Sequence, residues 1–493
     1  MEEGPSDLKL RTARSLKWNV IDRLLQQVLY AVTGIVLARV LSQADFGLVG
    51  AVLIFQAFAS LLVDSGFSWA LIQRKQPTRL DYSSVFWFNV LMAVTIYCIL
   101  WFAAPLIAWC FENDQRLIPL SRVMFLSFVI NALLTVQTSR LMKDMNVKPV
   151  AMSNAIGLFA GAIVGIWMAC TGWGAWALVC QTLTAAAVKV ICLWTASHWR
   201  PMLKMSWTSI KSFMPVGMGM LATSFLNTVF LNLYSFFIGN RIGLVSLGYY
   251  TQSDKWSKMG VSSLTQVLTS TFIPALSGVQ DDKPRFRNMV RKMNRMTAYL
   301  VFPAMLGLLV VAEPLFHVLF GTKWDPSIIL FQILLLRGIF TVTTTLYTNY
   351  FVALGRSKLV VWMEVVRDGG ALIALAITWP YMTLTTPDDI VYGITVLLWG
   401  QLAASALAWV VTLILASRVT GVSVWGFIGD ILPYLGWAAV SCQIAMWLTS
   451  GVWPAWLQLI SLIGIGGVAY LIFNIFISGD IQKDVIKYFR GKL

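Results

Sequence analysis

The chain has 493 residues, 58% of them hydrophobic and only 12% charged, with a formal net charge of +15 and a mean hydropathy of +0.73. Soluble globular chains carry roughly 25% charged residues, so water is not the solvent of this one. Apolar runs of the ~20 residues needed to cross a bilayer recur from Trp18 to Ser478 with short polar breaks, which leaves no room for a separate soluble domain.

In chain order, residues 1–17 form a polar segment of mixed charge, predicted to be cytoplasmic. The apolar stretch after it is too long for the core of a cleavable signal peptide, so no targeting peptide is expected. Six spans follow at 18–41, 44–66, 82–108, 117–140, 148–170 and 173–196, a first six-helix bundle over 18–196. A basic cytoplasmic loop, 197–210, leads to a second bundle over 211–416, with spans at 211–237, 245–273, 296–319, 327–354, 358–381 and 389–416. Two additional spans, 425–449 and 454–477, precede a cytoplasmic tail at 478–493. The fold class predicted is therefore all-α, with about fourteen transmembrane helices, because the hydrocarbon core offers backbone groups no partner outside their own segment. The runs do not alternate as the strands of an outer-membrane barrel would.

Lys and Arg accumulate in cytoplasmic loops. Alternate inter-span segments, beginning with the one that holds Lys9 and ending with the one that holds Lys492, contain 26 cations, whereas the intervening loops contain four, Arg39, Arg116, Arg241 and Lys323. The unbroken alternation supports the span count and places both termini in the cytoplasm. The same cations explain the net charge as an adaptation to an anionic leaflet, and no nucleic-acid partner is expected. Trp69, Trp173, Trp207, Trp324 and Trp453 fall near span ends, as interfacial anchors do.

The two halves match weakly. LARVLSQADFGLVGAV at 37–52 lies against IGNRIGLVSLGYYTQS at 238–253, pairing Arg39 with Arg241 and Gly47 with Gly248. TVQTSRLMKDMNVK at 135–148 lies against TLYTNYFVALGRSK at 345–358. Repeated bundles are a common construction of transporters.

Charges inside spans are costly and usually face a partner or a watery cavity. They are Asp22 and Arg23 in span 1, Asp64 at the end of span 2, Lys189 in span 6, Asp254, Lys255 and Lys258 in span 8, Arg337 in span 10, and Glu364, Arg367 and Asp368 in span 11. Arg337 stands about ten residues into its span with no acid in its own helix, near the membrane midplane at 1.5 Å of rise per residue. Arg337, Lys255, Lys258, Lys189 and Arg23 are the candidates for an anion-binding cavity, since guanidinium and ammonium groups pair strongly with phosphate oxygens. Glu364, Arg367 and Asp368 share a helical face at i, i+3 and i+4; with Asp254 they are the candidates for ion coupling, and a self-neutralised structural group is the competing reading. Gly157, Gly161 and Gly165, at i, i+4 and i+8, mark close helix packing.

No catalytic residues, metal or cofactor are expected. The six cysteines form no CxxC pair, the two histidines sit at span ends, and no large polar loop exists to carry an active site; the longest segment outside the spans is near 279–295. Intramembrane charge without a catalytic constellation points to transport.

Five stretches, LARVLSQADFGLVGA (37–51), DSGFSWALIQRK (64–75), LGYYTQSDKW (247–256), IPALSGVQDD (273–282) and FGTKWDPSIILFQIL (320–334), resemble the Wzx-type polysaccharide transporter family of the MOP flippase superfamily, in the branch of the colanic acid exporters. The resemblance is strongest through span 2 and spans 8 to 10 and fades after about residue 360. It implies two six-helix bundles around a central cavity with two C-terminal helices, in the manner of MATE transporters. It also implies an exporter in the bacterial inner membrane that moves undecaprenyl-diphosphate-linked oligosaccharide units to the periplasmic leaflet by alternating access. The partners implied are that lipid-linked oligosaccharide, membrane lipids, and a polysaccharide polymerase with its chain-length machinery. The runner-up is an ion-coupled multidrug or metabolite antiporter of the same superfamily, which would need accessible acids where this chain has the basic Arg337.

Overall fold

The computed structural model describes residues 5–64, 67–382, 391–451 and 453–489, and these contain sixteen α-helices, two short 3-10 turns and no strand. All fourteen expected spans fall on helices, yet only twelve helices among the described residues are apolar enough to cross a membrane. The two outside that set are α9 (Leu244–Ser277) and α13 (Ser357–Thr378). Both are long enough; what lowers their hydropathy is Asp254, Lys255 and Lys258 in one and Lys358, Glu364, Arg367 and Asp368 in the other.

Helix ends depart from the expected boundaries because an apolar run measures hydrocarbon thickness, whereas a helix continues until something stops it. α1 (Pro5–Val40) takes in the polar leader, and α16 (Ala455–Phe489) runs well into the tail expected beyond residue 477. The first four and last four residues, with Lys492, lie outside the described residues, as do the side chains of Asp64 and Trp69. The basic segment 279–295 is mostly helical: the Asp282 carboxylate accepts the Arg285 backbone N–H at 3.1 Å, an N-cap that starts α10 (Lys283–Val310). Span 9 breaks at Val311, after which α11 (Ala312–Leu319) begins anew.

The chain divides into two compact units, Met1–Gly248 and Tyr249–Leu493. In unit 1, the most extensive pairing is α6 (Lys148–Cys170) on α7 (Trp176–Ser197). Gly157, Gly161 and Gly165 make it: a Cβ on Gly157 or Gly161 would sit 2.6 Å from the Ala185 or Gln181 carbonyl, and one on Gly165 2.8 Å from Gln181 Cβ. Lipid is as apolar as leucine, so contact of this closeness is what holds membrane helices together. α2 (Gln43–Asp64) crosses the start of α9 more tightly still. A Cβ on Gly47 would fall on the Leu244 carbonyl and one on Gly248 on the Gln43 carbonyl, so the two glycines aligned by the sequence repeat meet in a reciprocal contact.

Polar clamps close the basic end of unit 1. The stretch DSGFSWALIQRK yields a short helix, α3 (Phe67–Gln73), whose C-terminal carbonyls of Leu71 and Ile72 accept Lys143 Nζ at 3.3 and 3.0 Å, a cation placed where the helix dipole favours one. Buried Asp81, second turn-mate of Thr78 in the capping box of α4 (Arg79–Cys110), lies 3.5 Å from Arg74 and accepts the Ser209 hydroxyl. Ser83 and Ser84 accept the backbone N–H of Met202 and Ser206 at 3.0 and 2.8 Å, which sews the segment before α8 (Trp207–Arg241) onto α4.

In unit 2, α12 (Asp325–Ala353) packs on α14 (Tyr392–Thr420), and α10 packs on α15 (Val424–Leu448). Asp430 of α15, 1% exposed, accepts Arg291 Nε and Nη2 at 3.0 and 2.8 Å and Arg295 Nε at 2.6 Å. Nearby, Asn294 donates to the Phe427 carbonyl at 3.1 Å, and Tyr470 of α16 donates to the Tyr299 carbonyl at 2.9 Å, so both C-terminal helices are pinned to α10. Ser253 donates to the Ser327 carbonyl at 2.8 Å while Ser327 donates to the Tyr249 carbonyl at 3.1 Å. That exchange joins LGYYTQSDKW to FGTKWDPSIILFQIL.

The packing can be tested at three positions. Gly47→Ala should sharply reduce the fraction of protein that survives detergent extraction as a monodisperse species. Gly369→Ala, at a helical position with open space around the missing Cβ, should match or slightly exceed wild type, because alanine is the better helix former by about 0.5–1 kcal/mol. Asp430→Asn, which leaves two guanidinium groups with a neutral acceptor, should cost about 2 kcal/mol and lower the thermal unfolding midpoint measured in detergent; an unchanged midpoint would assign the Asp430 cluster no part in stability.

Candidate functional site

Arg337 is the thirteenth residue of the 29 in α12, close to the middle of the helix. The next residue fixes its surroundings: a Cβ on Gly338 would sit 2.5 Å from Val261 Cγ2 of α9 and 3.5 Å from Met305 Sδ of α10, so α12 is drawn against both helices at this level. The Arg337 side chain is half-buried, its Nε is buried without a hydrogen-bond partner, and among the described residues no carboxylate pairs with it. At hydrocarbon depth such a group needs a counter-charge.

The two lysines of α9 differ. Lys258 Nζ pairs with Asp254 one helical turn away at 2.6 Å, so its charge and that of the aspartate are spent on each other. Lys255 is exposed; its ammonium lies 5.7 Å from the Trp256 ring centre in a cation–π contact and forms no ion pair among the described residues.

On α13, Arg367 pairs with Glu364, and its Nε lies 3.0 Å from Asp368, so one guanidinium links both acids. A cavity of about 110 Å³ lies beside them, lined by Thr341, Thr344, Thr345 and Thr348 of α12, Ser405 of α14, Glu364 and Arg367. Thr341 follows Arg337 by four residues, hence on the same helical face.

A second polar cavity, about 220 Å³, lies within unit 1 between α1, α5 (Leu117–Lys143), α6 and α7. Gln26, Tyr30, Asn131, Asn154, Gln181 and Lys189 line it. Asp22 is held at its edge, accepting Gln26 Nε2 at 2.8 Å and Asn154 Nδ2 at 3.0 Å. Arg23, one residue on, is exposed on another face of α1. The structure thus places Asp22 and Lys189 at one cavity, ties Asp254 to Lys258 and Arg367 to both its acids, and gives Arg337 no such acid among the described residues.

Two groups escaped the sequence reading. Asp430 is an acid inside the run GFIGDILPYL and could have been found by the search that found Asp254. The amides around Lys189 could not, since only ionisable residues were sought and four helices contribute them. Among the described residues no group of three or more His, Cys, Asp or Glu could hold a metal ion.

The Arg367 network makes a prediction of its own. Arg367→Ala should lower membrane abundance several-fold, the scale on which 1–2 kcal/mol is felt in cells, and adding Glu364→Gln and Asp368→Asn should restore much of it, as read by quantitative immunoblot. No restoration would mean that Arg367 acts through something other than these two acids.

Three comparisons place the chain among known proteins. The succinoglycan biosynthesis transport protein ExoT of Rhizobium meliloti is 25% identical over 356 residues, covering 72% of this chain and 72% of that protein. The lipopolysaccharide biosynthesis protein WzxC of Escherichia coli K12 is 25% identical over 334 residues, 67% of this chain and 68% of that one. The solved structure of the lipid II flippase MurJ, in an inward closed conformation, superposes with a TM-score of 0.74 over 95% of this chain and 100% of its own, at 15% identity, so the fold is shared. Residues 36–329, more than half of the chain, match the family described as polysaccharide biosynthesis protein, and to that family of multi-pass membrane proteins this chain belongs.

Proposed function

We propose that the chain is an exporter of lipid-linked oligosaccharide units, carrying an undecaprenyl-diphosphate-linked repeat from the cytoplasmic to the periplasmic leaflet of a bacterial inner membrane by alternating access. The observation that carries the reading is Arg337: a guanidinium in mid-helix, half-buried, with Nε unpartnered and no acid beside it among the described residues. A diphosphate supplies the acceptor oxygens that such a group matches in two-pronged geometry, while the polyprenyl tail stays in the bilayer. Lys255, the lysine of α9 that no acid neutralises among the described residues, is the second anion-binding candidate in unit 2. The names borne by ExoT and WzxC, succinoglycan transport and lipopolysaccharide biosynthesis, support a glycan cargo. The 26-to-4 partition of cations supports cytoplasmic termini, and a polymerase with its chain-length machinery would take up the exported unit. The carboxylates that ion coupling could use are Asp254, Glu364 and Asp368, each of which Lys258 or Arg367 would have to release.

The test is export of labelled lipid-linked oligosaccharide in cells deprived of their own exporter, at matched membrane abundance. Wild type should restore periplasmic glycan, Arg337→Ala should reduce it at least tenfold, and Arg337→Lys should retain an intermediate level, since it keeps the charge and loses the planar fork. Export by Arg337→Ala equal to wild type would remove the anion-binding role. A wild type that moves no glycan but lowers cellular accumulation of cationic drugs would overturn the reading altogether.

A further inference from the structure

The cavity of unit 1 has a chemistry unlike that around Arg337. At about 220 Å³ it is smaller than the ~300 Å³ at which drug-sized ligand sites begin, yet several times the ~30 Å³ that one water occupies in the liquid. It therefore fits one ring, not an oligosaccharide. Its polar groups are mostly carboxamides, each bearing donors and an acceptor. Gln26 and Asn154 are committed to Asp22. The side-chain amides of Asn131 and Gln181 and the Tyr30 hydroxyl line the same space and have no hydrogen-bond partner among the described residues. Gly165 sets the position of Gln181, whose Oε1 would be 3.3 Å from a Cβ there. Tyr30 and Asn131 are exposed and Gln181 is half-buried, so all three are open to an occupant with matching groups.

The charge balance says which occupant. Lys189 lines the cavity and Asp22 is held at its edge, one charge of each sign, so the cavity offers an anion no net attraction, and the carboxylate at its edge repels phosphate. Hydroxyl groups, each donor and acceptor at once, match amides, a phenol and a carboxylate together. Resting on the transport reading above, we propose that this cavity seats a single sugar ring of the glycan cargo, with Asn131, Gln181 and Tyr30 reading its hydroxyls and Asp22 held ready as an acceptor by Gln26 and Asn154. These residues would then determine which glycan is carried, separately from the diphosphate held at Arg337.

The test uses the full-length protein in lipid nanodiscs, with saturation-transfer NMR of methyl glycosides of a neutral hexose, an N-acetylhexosamine and a hexuronic acid, and with inorganic pyrophosphate as the anionic probe. At least one glycoside should bind saturably. Gln181→Ala and Asn131→Ala should each weaken it about tenfold, the scale of one lost buried hydrogen bond, and Arg337→Ala should leave it unchanged. Gln181→Met keeps the bulk of the side chain, so a loss of binding at an unaltered unfolding temperature separates recognition from folding. The proposal is overturned by no saturable glycoside, by binding that survives Gln181→Ala combined with Asn131→Ala, or by pyrophosphate binding that Lys189→Ala abolishes. Glycoside binding without glycan export would sink the transport reading and leave the sugar seat standing; Arg337-dependent export without glycoside binding would do the reverse.

Discussion

A hydrocarbon solvent has nothing to offer a polar group, and nearly every feature of this protein answers that constraint. The backbone answers it with helices. Side-chain charges answer it pairwise: Asp430 takes three hydrogen bonds from two arginines, Asp254 takes Lys258, Arg367 takes both its acids, and Asp81 gathers a cap, a hydroxyl and Arg74. Against that thrift the exceptions stand out. Among them are Arg337 in unit 2, with its Nε buried and unpartnered, and, in unit 1, the Asn131 and Gln181 amides that border a cavity, where a ligand has chemical reason to be.

The same solvent removes the ordinary driving force for helix association, and small residues take over. The glycine stripe of α6 brings α7 to backbone distance, and by doing so fixes the rail on which Gln181 and Lys189 are carried. Packing and recognition are thus one arrangement in unit 1: the face of α7 that touches α6 sets the pitch of the polar groups along the neighbouring cavity. In unit 2 the corresponding device is Gly338, whose contact with Val261 sets the level of Arg337.

The all-helical, multi-span fold was legible in the sequence because span length is a local property. Arg367 and its acids were legible for the same reason, at spacings of one helical turn, and the Asp254–Lys258 pair obeys the same i, i+4 rule. What was not legible was long-range. Asp430 meets Arg291 and Arg295 across 139 and 135 residues, and nothing in the run GFIGDILPYL names its partners; arginines that look like loop cations prove to lie inside α10. The unit-1 cavity draws on four helices, and its amides carry no charge to attract notice in an apolar span. The break of span 9 at Val311 was concealed by continuous hydrophobicity, which registers the solvent and is silent about where a helix restarts.

The crossing of α2 and α9 is built from a matched pair, each glycine lying under the carbonyl of the residue four positions before the other. Neither can be enlarged, and neither can be compensated, because the partner already has the smallest side chain there is. Drift elsewhere in a helix pair can be absorbed by trading volume across the interface; here there is no volume to trade.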